Sequence, residues 1–381
     1  MINEARLVSL FCELVEIDSP SRAERQLADR LSAIFERLGF AVAEDDAGVR
    51  IGGNCGNIYA RLYGSLPLAP ILFSCHMDTV EPCRGKRAVV GPDDVIRSAG
   101  GTVLGADNLA GITAVLEAVE CIRSSGKPHR TIEVLLSVAE ELHLSGSHWL
   151  EPSRLTAREA YVLDTSGPPG RAVLQAPGHI GLTFDVFGQA AHAGIDPEAG
   201  ISAIRAAALG IASLRTGRVD ELTTANIGRI EGGGETNIVA DHCRVTAECR
   251  SLNLDRLKAV AEEMKSIMAR AAAAVGARIE TMEKLSYLPY NVSENQPVVS
   301  RFREVCAKLG LPVSLIVSGG GSDNNVLALH GIDGIVIACG MNPAAKTFKS
   351  EPSGFTSNML ARRSSFSIPF SAMLDPEPTA M

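Results

Sequence analysis

The chain is 381 residues long, 46% hydrophobic and 21% charged, with a formal net charge of −8. That length favours two domains over a single core, and the composition is that of a soluble globular protein. The acidic balance excludes a broad nucleic-acid or anionic-membrane surface, and no segment holds the roughly 18 uninterrupted apolar residues of a membrane span.

Leu7, Val8, Phe11, Leu14 and Val15 recur at helical spacing, which predicts an amphipathic helix over 3–16. Glu4, Glu13 and Glu16 break that stretch, so it is not the apolar region of a signal peptide, and a cytoplasmic location is expected. A turn at Asp18-Ser19-Pro20-Ser21 leads to a second helix over 22–38, closed by Gly39. Short strands are expected near 40–45 and 57–63. The run 71–75 is a buried strand with His76 at its end. A helix over 112–122 starts just after Asp107. Residues 131–138 form a buried strand leading to Glu140, and 161–163 form another ending at Asp164. Strands alternating with helices predict an α/β domain with a largely parallel, mixed sheet flanked by helices.

From 179 the pattern changes to strand 180–188, an alanine-rich helix 200–214, strands 223–230 and 236–250, a long helix 254–275 and a strand near 277–284. This βαββαβ order is a compact α+β module inserted at 179–287. The first domain therefore comprises 1–178 and 288–381. Its second part reads as helix 298–309, strands 313–317 and 334–338, and the glycine-rich SGGGSDNN between those strands. Residues 346–381 are rich in Ser, Pro, Lys and Arg, lack sustained periodicity and read as a disordered or loosely docked tail. Nine scattered cysteines with no CxxC pair read as reduced, buried thiols rather than a zinc knuckle.

In parallel sheets, ligands bind beyond the carboxyl ends of the strands. His76, Glu140, Glu141 and Asp164 all fall there. His76-x-Asp78 puts both side chains on one side of an extended segment, so Asp78 can hold the histidine nitrogen that does not face a metal. Alone, that pair also reads as a loop histidine beside an acid. Adjacent Glu140 and Glu141 point in opposite directions. One can bind a metal while the other acts as general base, for a divalent metal makes nearby water acidic enough to deprotonate at neutral pH. Alone, they also read as a solvated helix start. Asp107 reads either as a helix N-cap or as a carboxylate bridging two metals, and Asp164 either as a turn former or as a ligand. Shared placement at one sheet edge favours the metal reading for the set.

HMDTV, GADNLAG, AEE and LDT, in this order and with an inserted βαββαβ module, resemble the M20 zinc metallopeptidases, above all their peptidase T-like branch. The resemblance covers about 1–342. It implies a zinc-exopeptidase fold and hydrolysis of short peptides from the amino end by a di-zinc-activated water. It assigns His76, Asp107 and Asp164 to one zinc, Asp107 and Glu141 to a second, Glu140 as general base, and Asp78 as the residue that orients His76. It places Glu24 at the usual acid position after the first turn. The insert resembles a lid that pairs two subunits, with His192 as oxyanion stabiliser, Asn237 and Arg250 as substrate-backbone and carboxylate binders, and Gly320 and Ser322 in a substrate loop. Expected partners are a short peptide and a second copy of the chain, with no nucleic acid or membrane. Two Zn2+ per subunit are implied, with Co2+ or Mn2+ as substitutes. N-acyl-amino-acid or dipeptide hydrolysis is the alternative within the family.

One departure stands out. The family's last zinc ligand is a histidine soon after a strand, in a phrase like GMxxxHT. Here Gly340-Met341-Asn342 is present, yet the last histidine is His330, before that strand. A water or a residue such as Glu351 could replace it, with nothing in the sequence selecting either, and an impaired, non-catalytic member is the second alternative. The family's closing amphipathic helix is also missing. A reading frame that shifts near 343 fits both absences: suitably chosen codons for 356–372 spell VEHARPAVELLDSLFRN in a shifted frame, though this does not by itself restore the histidine.

Overall fold

A computed structural model describes residues 2–341. The expectations for the tail, the shifted frame and Glu351 lie outside the described residues. Two compact units emerge, one comprising residues up to Leu174, Asn291–Ser318 and Ser322 onward, the other Gln175–Tyr290 and Gly319–Gly321. Among the described residues, no helix is long and apolar enough to cross a membrane.

The first unit opens with α1 (Glu4–Val15) and α2 (Arg25–Arg37). The Asn3 side chain caps α1 by accepting from the Arg6 amide, and Leu7, Phe11, Leu14 and Val15 are its buried face. α2 starts at Arg25 rather than 22, because Arg22 has a φ of 74° and belongs to the preceding turn. Then come β1 (Ala41–Glu44), α3 (Ala47–Ile51), β2 (Ile58–Leu62), β3 (Ile71–His76), the hairpin β4 (Ala88–Val90) and β5 (Ile96–Ser98), α4 (Ala106–Ser125), β6 (Ile132–Ser137), β7 (Glu159–Thr165) and β8 (Arg171–Ala176). α4 is buried without a break from Ala106 to Val119 and packs on α1, β3 and β7. It takes in Asp107 and Asn108, upstream of the expected start at 112. Both have non-helical backbone angles, so the regular helix begins only after them.

The second unit is built from β9 (Gly178–Phe187), α5 (Ala203–Ser213), β10 (Gly217–Asp220), β11 (Thr223–Gly232), β12 (His242–Ser251), α6 (Leu254–Ala274) and β13 (Arg278–Tyr287). Its antiparallel sheet runs β10-β11-β12-β9-β13. Ile180, Leu182, Phe184 and Val186 alternate along β9 and pack with Val245, Ala247, Cys249, Leu257, Val260 and Met264, the period-2 pattern of a half-covered sheet. The order differs from βαββαβ by the short β10, which pairs with the start of β11. The expected strand over 236–250 begins only at His242. The preceding loop instead pairs with the 189–193 segment: the Ala193 amide donates to the Asn237 carbonyl and the Val239 amide to the Ala191 carbonyl.

The chain returns as β14 (Tyr290–Asn291), α7 (Pro297–Lys308), β15 (Ser314–Val317), α8 (Asp323–Leu329) and β16 (Asp333–Ala338). The sheet of the first unit runs β1-β2-β6-β3-β7-β16-β8. Its centre, β6-β3-β7-β16, is parallel, and its flanking pairs are antiparallel. This is the largely parallel mixed sheet the alternation implies. Every residue of β3 and β6 is buried, so helices cover both faces there. Parallel pairing brings the carboxyl ends of β3, β6 and β7 to one edge. His76 pairs with Ser137 and Ser74 with Val162, so His76 and Asp164 arrive at that edge together. All nine cysteines are free thiols, eight of them buried.

Candidate active site

His76 is 1% exposed. Its Nδ1 lies 3.0 Å from the Asp78 carbonyl oxygen and 3.3 Å from Asp78 Oδ1. The Nδ1–H therefore donates to Asp78, which turns the Nε2 lone pair outward. Nε2 lies 3.2 Å from Asp107 Oδ1 and 3.8 Å from Asp164 Oδ1. A lone pair facing carboxylates at such range needs a proton or a cation between them. The chemistry of the donors suits a cation. His76, Asp107 and Glu141 form one group with ligand atoms all within 4.8 Å of one another, and His76, Glu140 and Asp164 form another. One imidazole and four carboxylates are donors that zinc, cobalt and manganese accept. His330 belongs to neither group and lies exposed at the end of α8.

The electrostatics reflect crowded acids. Burial, then Asp164, pushes the Glu140 carboxyl well above its ordinary range. Burial would lower the His76 imidazole, but Asp107, Asp78 and Glu140 outweigh it and raise it well above normal. Burial would raise Asp78, but His76, Ser21 and the Glu140 amide hold it low.

The two glutamates sit on a loop, 138–146, that leaves β6. Three of its non-glycine residues, Ala139, His143 and Leu144, have φ of 48°, 60° and 60°, at a cost of about 1–3 kcal/mol each. Buried polar groups hold it in this shape. Asp78 accepts from the Glu140 amide at 2.9 Å, the Glu141 amide at 3.1 Å and Ser21 Oγ at 2.6 Å. Glu24, pushed up to about 7 by burial and then Asp78, accepts from the Ala139 amide at 2.9 Å. Asn57 Oδ1 accepts from the Val138 amide and its Nδ2 donates to the Gly146 carbonyl, both at 3.0 Å. Asp78 thus touches His76 and both glutamates at once.

Gly146 closes this loop. Its φ of −73° suits any residue, but a Cβ there would lie 2.0 Å from the Val138 carbonyl oxygen. Gly146→Ala is expected to cost about 1–3 kcal/mol through overpacking. A denaturation midpoint equal to the parent's would refute that account.

The structure does not gather every sequence-derived candidate in one unit. His192, Asn237, Arg250 and Gly320 belong to the second. His192 and Asn237 come together there through the Ala193–Asn237 bond and the His192–Ile238 bridge. Arg250 donates through Nε and Nη2 to the two carboxylate oxygens of Glu248, each at 3.0 Å. Glu248 also meets His179 Nε2 at 2.9 Å, whose Nδ1 meets Ser286 Oγ at 2.9 Å. This Ser-His-Glu chain resembles a hydrolase triad, but Ser286 and His179 are both buried. Its effect is to anchor Arg250: the His179 bond, ahead of Arg250, pulls Glu248 down to about 2. Ser322, in the first unit, donates its amide to Asn325 Oδ1 at 3.0 Å. Asn57, Ser137 and Ser147 escape sequence reasoning, and Asp323 is legible only as a member of the SGGGSDNN segment, with no role assigned to it.

Comparisons with known proteins bear on the family and the fold. Residues 174–275 match the M20 peptidase dimerisation domain, and 57–195 match peptidase family M28. The uncharacterized protein YqjE of Bacillus subtilis (strain 168) is 41% identical over 340 residues, 89% of this chain and 91% of that one. The crystal structure of aminopeptidase PepT from Bacillus cereus ATCC 10987 superposes with a TM-score of 0.85 at 36% identity, covering 98% of each chain. A tripeptidase from Staphylococcus aureus subsp. aureus mu50 superposes with a TM-score of 0.89 at 34% identity, covering 98% of this chain and 97% of that one. These likenesses define a peptidase. The chain belongs to the M20 peptidase family and is PepT-like.

Proposed function

We propose that this peptidase is a metal-dependent exopeptidase that removes residues from the amino end of short peptides, with tripeptides as the preferred class. The observation that carries the reading is His76, its Nδ1 tied to Asp78 and its Nε2 aimed between buried carboxylates. His76, Asp107 and Asp164 would hold one Zn2+, and Asp107 with Glu141 a second. When bound, the cations supply electrophilic activation of the scissile carbonyl and of water. Glu140 takes the proton of the attacking water and delivers it to the leaving amine. Asp78 keeps His76 and the two glutamate amides in register. In the second unit, His192 donates to the developing oxyanion, Asn237 binds peptide backbone, and Arg250, held by Glu248, meets the substrate carboxylate. Gly320 and Ser322 contribute to the peptide-binding loop. The same unit pairs two copies of the chain, in line with its match to a dimerisation domain, and the working location is the cytoplasm.

The test is one panel of tripeptides, dipeptides and N-acyl amino acids, assayed with bound metal measured in the same samples. Tripeptide turnover highest, with release of the first residue, is the expected result. Preference for N-acyl amino acids would replace this reading. A second reading, an impaired member, is favoured by one observation: no histidine follows His330 in the sequence. Substoichiometric metal with no turnover on any substrate would select it.

A further inference from the structure

We propose that Asp323 is a positioning residue for the Glu140–Glu141 pair, clamping both ends of the 138–146 loop to the start of α8. The inference rests on the reading of that pair given above. Asp323 is the first residue of α8 and is 1% exposed. Its Oδ2 accepts from Ser137 Oγ at 2.5 Å, and its Oδ1 accepts from Ser147 Oγ. Ser137 is the last residue of β6, and Ser147 opens the short 3-10 turn Ser147–Trp149. Both serines are fully buried. The hydroxyls therefore lie one residue outside each end of the loop, and a single carboxylate holds both. Ser137 also accepts, through its carbonyl, from the Met77 amide at 2.8 Å. The clamp thus reaches the exit of β3, beside His76.

A loop with three non-glycine residues at positive φ keeps its shape only where its surroundings over-determine it. Asn57 secures the backbone inside the loop, at Val138 and Gly146. Asp323 secures the flanking side chains, on different atoms. A buried carboxylate that merely filled space would be worse than an apolar side chain, and the hydrogen-bond partners of Asp323 are neutral hydroxyls. What the carboxylate supplies is two acceptors in fixed directions, converging two segments ten residues apart. Asp323 belongs to neither candidate ligand group; its hydrogen bonds go to the loop's flanking serines, while its charge also reaches Glu140 and His76.

Asp323→Ala removes both acceptors, whereas Asp323→Asn keeps two polar atoms able to pair with the hydroxyls. On the preferred peptide with saturating metal, the Ala variant is expected to lose about 10- to 100-fold in kcat with KM within about threefold of the parent. The Asn variant recovers most of kcat. Amide hydrogen exchange at 138–146 speeds up in the Ala variant while β3 and β6 stay protected. If the Ala variant does not fold, Ser137→Ala and Ser147→Ala each remove one arm and are expected to lower kcat and loosen the same amides. Unchanged kcat and exchange in a folded Ala variant, or in both serine variants, overturns the clamp, as does an Asn variant as slow as Ala. A parent protein that hydrolyses none of the peptides defeats the reading of Glu140 on its own, and exchange at 138–146 still decides the clamp.

Discussion

Glu140→Gln is expected to abolish peptide hydrolysis while the fold and the bound metal stay in place. Glu140 is 8% exposed, and its amide is fixed by Asp78. Glutamine has the same shape and can still accept hydrogen bonds, so packing survives. It cannot take a proton from water. Loss of a positioned general base costs about 10²- to 10⁴-fold in rate. The measurements are kcat/KM on a tripeptide, metal content and the thermal midpoint, all on one preparation. Activity within tenfold of the parent sinks the role of Glu140. A second outcome is equally informative, because Glu140 also stands within ligand range of His76 and Asp164. If metal disappears together with activity, Glu140 is a ligand in the His76–Glu140–Asp164 group, and the base must be sought elsewhere. Glu141→Gln provides the contrast: it should weaken metal binding first and activity as a consequence.

How much of this was legible before the structure depends on how local each signal is. His76, Glu140 and Asp164 each follow an apolar run, and a parallel sheet sends all such runs to one edge. Their convergence can therefore be read from periodicity alone. Asp107 was legible as the residue before a helix. The non-helical angles at Asp107 and Asn108 were not, because residue type does not encode them there. The clamp was invisible for another reason. Ser137 and Ser147 are 186 and 176 residues from Asp323 in sequence, and a serine after a strand carries no pattern of its own. Likewise 236–241 has strand-like residues, but tertiary pairing with the 189–193 segment takes its backbone hydrogen bonds, and pairing across such a distance overrides local propensity.

Chelation is expected to abolish hydrolysis and lower the thermal midpoint, with Zn2+ or Co2+ restoring both. Asp78, Asp107, Glu140 and Asp164 are each buried to 9% exposure or less around one imidazole. With no cation present, the cluster relieves its repulsion by holding protons, which is what the raised Glu140 and His76 affinities express. A cation that binds only the folded chain adds about 2.7 kcal/mol at a hundred times its Kd, a shift that differential scanning reads directly. The two metal sites should not respond alike. All three residues of the set proposed for one metal, His76, Asp107 and Asp164, lie within the described residues. The other has Asp107 and Glu141, and the sequence supplies no histidine after His330 to join them. The expected titration is therefore one metal retained through dialysis and a second that exchanges freely and sets the activity. Two equally tight metals would mean that the second site gains a further ligand beyond Asp107 and Glu141, with Glu351 the first residue to mutate. A midpoint indifferent to chelator would mean that protons, not metals, neutralise this cluster, and the metal-dependent reading would fall with it.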